Sequence, residues 1–178
     1  MYSGASGLWA RTALGNGDGS FATPLSRKFL DGHFGDNYAY SKQTGDFNGD
    51  GYTDITWMYS GVSGLWARTA LSNGDGTFGA IQSRQFKTGS FGSYDAYDKL
   101  TGDFNGDGLT DLVWMYSGSS GLYVHAALSN GDGTFGNIQS KQLHTANFGD
   151  YAAYSKLAGD FNGDGLTDLI WMYSGVSG

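Results

Sequence analysis

The chain repeats itself every 57 residues, without a single insertion or deletion. Tyr2, Tyr59, Tyr116 and Tyr173 each open a Tyr-Ser-Gly tripeptide. The turn Asn-Gly-Asp-Gly recurs at 16–19, 73–76 and 130–133, and Phe-Gly at 34–35, 91–92 and 148–149. Three units therefore run 2–58, 59–115 and 116–172, and 173–178 starts the next. So strict a period means one supersecondary unit made three times, each burying its apolar face on a neighbour. The 178 residues suffice for one ordinary domain and not comfortably for two. Residues 1–178 accordingly read as one repeat domain.

Within a unit the hydrophobic period is two. Residues 65–71 alternate Leu65, Ala67, Thr69 and Leu71 against Trp66, Arg68 and Ala70, the pattern of a strand. An Asn-Gly/Asp-Gly turn follows, then a second strand at 81–86. A longer tyrosine-bearing loop leads to a short strand at 98–104, and an aspartate-rich loop turns the chain into a strand at 111–117. Each unit thus predicts four strands and no helix. Glycine, at 31 residues, is more than twice as frequent as the usual ~7% and suits many tight turns. A four-stranded unit covers its apolar face only by stacking, which blades arranged radially in a β-propeller achieve. A linear β-solenoid is the alternative, but its coils are usually much shorter. The expected fold class is all-β, a propeller of four-stranded blades.

The acidity of the chain is local. Its net charge is −7, all 17 acids are aspartate, and nine of them lie in 45–54, 102–111 and 159–168. Without those nine, ten basic residues face eight acidic ones. An acidic chain of this kind is a poor partner for nucleic acid or anionic membranes, and no apolar run approaches the ~18 residues of a membrane span. No charged-then-apolar leader opens the sequence. There is no cysteine, so neither disulfides nor thiolate metal sites contribute.

Counting from Asp46, the first loop carries Asp46, Asn48, Asp50, Tyr52 and Asp54 at positions 1, 3, 5, 7 and 9, with Gly51 at the bend. The second set is Asp103, Asn105, Asp107, Leu109 and Asp111; the third is Asp160, Asn162, Asp164, Leu166 and Asp168. Hard cations such as Ca²⁺ take six to eight oxygens, and alternate residues of a tight loop can turn theirs inward. Side chains supply positions 1, 3, 5 and 9, and the backbone carbonyl supplies position 7. About one Ca²⁺ per repeat is expected. An EF-hand would need an acid at position 12, where this chain has Trp57, Trp114 and Trp171 within a strand. A loop of Asx turns that binds nothing is the plainer alternative. Against it, carboxylates about 4 Å apart repel by roughly 1–4 kcal/mol per pair, which a cation would offset.

This loop entering a strand, together with the recurrent Asn-Gly-Asp-Gly-Thr-Phe and Phe-Gly, resembles the FG-GAP or VCBS repeats of integrin-α-like β-propellers. The resemblance covers the whole chain. It implies Ca²⁺ in the loop between strands A and B of each blade, and a secreted protein. Seven blades are usual in that family, whereas three repeats make only three. Phasing predicts a first blade of strands C and D only, two whole blades, and a last blade of A and B only. Such an open stack leaves bare strand edges. Two chains would make six blades and three would make nine, so a homodimeric ring is favoured over a trimer; a piece of a longer propeller, poorly stable alone, is the alternative.

In that geometry the A–B and C–D loops share one rim, and the B–C and D–A loops the other. Near the second rim lie Trp9 and Arg11, Trp66 and Arg68, and Tyr123 and His125, with Tyr40, Tyr97 and Tyr154 at the ends of the D–A loops. An aromatic that covers the apolar face of a sugar, beside groups that bond its hydroxyls, is how proteins hold glycans. Blade-to-blade packing is the competing use of the same rings, and Trp57, Trp114 and Trp171 are assigned to it. Catalysis is not expected: His33, His125 and His144 occupy three different places in the repeat, and there is neither cysteine nor glutamate. The reading is a calcium-stabilised multivalent lectin, similar to the integrin-like propeller lectins of fungi and bacteria. A protein-interaction or structural module of a larger secreted protein is the alternative.

Overall fold

The computed structural model describes residues 2–4, 7–31, 41–89, 98–145 and 155–172. Thirteen strands form four antiparallel sheets, with no helix among the described residues; none therefore crosses a membrane as a helix. The first sheet holds β1 (Tyr2–Gly4), β2 (Gly7–Thr12) and β3 (Leu25–Leu30). The second holds β4 (Ser41–Gly45), β5 (Asp54–Gly61), β6 (Gly64–Ser72) and β7 (Phe78–Lys87). The third repeats it as β8 (Asp98–Gly102), β9 (Asp111–Gly118), β10 (Gly121–Ala127) and β11 (Gln139–His144). The last sheet is β12 (Ser155–Gly159) with β13 (Asp168–Met172).

These are consecutive blades of a β-propeller, and β8 lies between β4 and β12 as neighbouring inner strands. The expectation of strands C and D alone in the first blade is corrected by β1. Tyr2 pairs with Trp9 just as Tyr59 pairs with Trp66, so the chain opens in the last three positions of a strand B. The strand expected to run to residue 104 ends at Gly102, because the carboxylate of Asp103 turns back onto its own loop.

Alternation sends adjacent residues of β5 to opposite neighbours. Trp57 packs with Leu8, Ala70 and Phe78 toward the first sheet. Met58 packs with Leu65, Ala67, Leu112 and Trp114 toward the third. A third cluster joins Val113, Met115 and Leu122 to Leu169 and Trp171 of the last hairpin. The core is therefore a series of seams between blades, and the tryptophans assigned to packing lie in them. Trp57 and Trp114 are fully buried; truncating either to Ala would cost about 3–5 kcal/mol.

Candidate functional site

The three aspartate loops share one construction. Asp46 accepts the Gly49 N–H on Oδ1 at 2.7 Å and the Gly51 N–H on Oδ2 at 2.8 Å. Asp103 does the same with Gly106 and Gly108, and Asp160 with Gly163 and Gly165. The position-6 glycines that allow the bend, Gly51, Gly108 and Gly165, have φ of +83°, +83° and +87°. Asn48 donates Nδ2–H to Asp50 Oδ2 at 2.8 Å, repeated by Asn105 to Asp107 and Asn162 to Asp164. The position-5 aspartates in turn accept the N–H of Tyr52, Leu109 and Leu166, each at 2.8 Å.

Position 9 behaves differently. Asp54 is fully buried, and its two oxygens accept the N–H of Ser72 at 2.7 Å and of Phe47 at 2.9 Å. Asp111 is bonded likewise by Ser129 and Phe104. Each carboxylate ties the A–B loop to the C–D turn, which puts both on one rim as the sequence predicts. Burial pushes both carboxyls above their ordinary range, and the other loop aspartates add to this; the two amides pull the other way. Asp160, on the exposed third loop, is held below the ordinary range by the amides of Gly165 and Gly163.

The donor chemistry suits a hard cation: carboxylate, amide and carbonyl oxygens on alternate residues of one tight loop. As the loops stand, no three acidic or imidazole side chains among the described residues are gathered as a metal site. Their carboxylates cap backbone amides instead, and a carboxylate retains further lone pairs beyond those.

The structure adds a function for the loop that the motif did not reveal. Thr110, at position 8 of the second loop, donates its N–H to the Asp46 carbonyl at 2.7 Å and accepts the Asp46 N–H on Oγ1 at 3.0 Å. Thr167 donates to the Asp103 carbonyl at 2.7 Å. Neighbouring loops are latched to each other across the seam. The latch brings threonine so close that a Cβ on Gly45 or Gly102 would lie 2.3 or 2.4 Å from it. The recurrence of Gly-Asp and of Thr before the last aspartate was the only signal for this in the sequence.

On the other rim, Trp66 and Arg68 stand together as expected, with a partner the sequence reading left out. Tyr59, opposite Trp66 on β5, stacks on it at 6.4 Å between centroids and 4° between planes. The Arg68 guanidinium lies over the same tyrosine ring at 5.0 Å. One repeat on, Tyr116 stacks between Tyr123 at 5.1 Å and His125 at 5.5 Å. His125 Nδ1 lies 2.6 Å from Ser140 Oγ, and burial lowers the pKa of the imidazole. In the first sheet Lys28 sits over the Trp9 ring at 5.7 Å, and Arg11 is exposed. Trp66 and Tyr123 are half-buried, neither core nor fully free rings. The B–C turn beside them is pinned by Gln85 Nε2–H to the Ser63 carbonyl and Gln142 Nε2–H to the Ser120 carbonyl, both 2.6 Å. Tyr40, Tyr97 and Tyr154 lie outside the described residues.

A comparison with curated protein sequences returned no match. Among solved structures, the fold is similar to that of a lectin from Agrocybe aegerita described as specifically recognising non-reducing terminal N-acetylglucosamine. The TM-score is 0.61 at 30% identity, covering 90% of this chain and 40% of that one. The chain thus spans about 40% of the length of that lectin. Residues 46–114 and 103–171 both match the FG-GAP-like repeat, well over half of the sequence. The chain belongs to the FG-GAP-like repeat family.

Proposed function

We propose that the protein is a secreted, calcium-stabilised, multivalent lectin that binds and does not catalyse. The observation that carries this is the aromatic tier at the B–C rim, Tyr59 with Trp66 and Arg68, rebuilt as Tyr116 with Tyr123 and His125. A partly exposed ring beside a cation and hydroxyls suits the C–H face and the hydroxyls of a pyranose. Repetition around a rim converts weak sites into avidity. The solved lectin with a similar fold supports glycans ending in N-acetylglucosamine as the ligand class. On the opposite rim, each aspartate loop would hold one Ca²⁺ through Asp46, Asn48, Asp50, the Tyr52 carbonyl and Asp54, and through the equivalent residues of the other repeats. The cation would supply the positive charge that the clustered carboxylates lack, at the millimolar calcium found outside cells. The ring would be completed by a second chain, giving six blades.

One observation favours the alternative, a protein-binding or structural module: Trp66 and Arg68 become Tyr123 and His125 one repeat on, whereas identical sugar sites need no such change. A glycan array in millimolar calcium separates the two. Saturable binding to one sugar family, weakened at least tenfold by Trp66→Ala, is the expected result. A blank array from folded, calcium-loaded protein would end the lectin reading.

A further inference from the structure

The tetrapeptide Asn-Gly-Asp-Gly occurs six times, in the C–D turns at Asn16, Asn73 and Asn130 and in the aspartate loops at Asn48, Asn105 and Asn162. Asparagine before glycine is the pairing most open to spontaneous deamidation, because no Cβ on the following residue hinders approach to the side-chain amide. The following N–H loses its proton, its nitrogen bonds to the asparagine Cγ, and ammonia leaves to give a succinimide. Water then opens that ring at either carbonyl, giving aspartate or isoaspartate. With the tetrapeptide identical in all six places, it is the fold that sets their rates apart.

The attacking nitrogen is not equally free in them. In the aspartate loops the glycine N–H is donated to a carboxylate, Gly49 to Asp46, Gly106 to Asp103 and Gly163 to Asp160, at 2.7, 2.6 and 2.7 Å. Bonds to an ionised acceptor are the stronger kind, so the three asparagines proposed as calcium ligands are the best shielded. In the C–D turns the acceptor is a hydroxyl: the Gly74 N–H reaches Ser72 Oγ at 3.2 Å and the Gly131 N–H reaches Ser129 Oγ at 3.4 Å. The first turn has Gly15 at that place, and the Gly17 N–H finds no acceptor among the described residues. The rest of the turn is the same. Gly17, Gly74 and Gly131 have φ of +84°, +78° and +78°. Asn16 donates Nδ2–H to Ser20 Oγ at 2.8 Å, as Asn73 and Asn130 do to Thr77 and Thr134 at 2.9 Å.

We infer that Asn16 is a site of self-modification, the asparagine at which this chain first converts to aspartate or isoaspartate, and that residue 15 sets the rate. The reaction turns the donor that faces Ser20 into a carboxylate. Ser20 Oγ already donates its hydrogen to Asp18 Oδ1 at 2.6 Å and cannot serve the new carboxylate as well, which adds a negative charge beside Asp18. The first C–D turn is thereby loosened. None of this depends on the carbohydrate reading.

Peptide mapping by mass spectrometry of the whole chain, aged in mildly alkaline buffer at physiological temperature, tests this. Loss of the amide is expected to be roughly fivefold faster at Asn16 than at Asn73, the factor that one neutral hydrogen bond contributes. It should be slowest at Asn48, Asn105 and Asn162, and alike at all six in chain unfolded by urea. Gly15→Ser restores the hydroxyl. Gly15 has no positive φ and open space for a Cβ, so the variant keeps the fold and Asn16 slows to the rate of Asn73. Ser72→Ala, which leaves the backbone N–H at that position bonded to Asp54, should raise Asn73 to the rate of Asn16 in the wild type. Equal rates at Asn16 and Asn73 in the folded wild type would overturn the inference. So would a Gly15→Ser chain that loses the amide at Asn16 as fast as wild type, or the same ranking of sites persisting in urea.

Discussion

His125 shows most directly what one substitution in an otherwise regular repeat changes. It stands where the second unit has Arg68, stacks on Tyr116, and lies between Ser140 and the buried Trp114. Arginine keeps its charge at any working pH, whereas burial holds the His125 imidazole below its ordinary pKa of 6.5. The folded state therefore favours the neutral ring. Its contribution to stability is complete above the unfolded pKa and is lost as pH falls through that value toward the lower folded one. The melting temperature should accordingly drop between about pH 7 and pH 5 by more in the wild type than in His125→Gln. Parallel melts of the two proteins at both pH values check this, and equal drops would show that the imbalance lies elsewhere.

The repeating element that organises the fold is the aspartate loop with its two ties, one to its own C–D turn and one to the next blade. Asp111 satisfies two amides inside the protein, so Asp111→Asn leaves one carbonyl oxygen for two N–H donors. A buried donor without an acceptor costs about 1–3 kcal/mol, and urea denaturation should show a loss of that size. Asp168→Asn, whose carboxylate accepts only the Phe161 N–H among the described residues, should cost less. Gly102→Ala belongs to this scale too. It forces a methyl against Thr167 and should destabilise the fold, whereas Gly159→Ala should not.

For the molecule as a whole, the seams combine apolar contacts and the loop latches with side-chain ties such as Lys156–Asp98 and Arg84–Asn137, and a cation in the loops bears on every seam together. Removing calcium with millimolar chelator should lower the melting temperature and loosen the assembly, and added calcium should restore both. An unchanged melting temperature in chelator would take calcium out of the account and leave the loops as Asx turns. Glycan binding should then be affected only through the fold, because the aromatic tier stands at the opposite end of each sheet from the loops.

Much of this was legible without coordinates. Strict 57-residue spacing, period-two strands such as residues 65–71 and the Asn-Gly-Asp-Gly turns require stacked four-stranded antiparallel units. The burial of Trp57 and Trp114 followed from their place just inside strand B. What the residues alone could not show were contacts between positions far apart in the chain. Tyr59 beneath Trp66 and Arg68 depends on cross-strand register, which a one-residue slip would reverse. The Thr110–Asp46 latch joins residues 64 apart and exists only because two blades pack closely enough to exclude a Cβ at Gly45. A repeat specifies its own unit through local turns and alternation, while the way units meet is settled by the packing of one blade against the next.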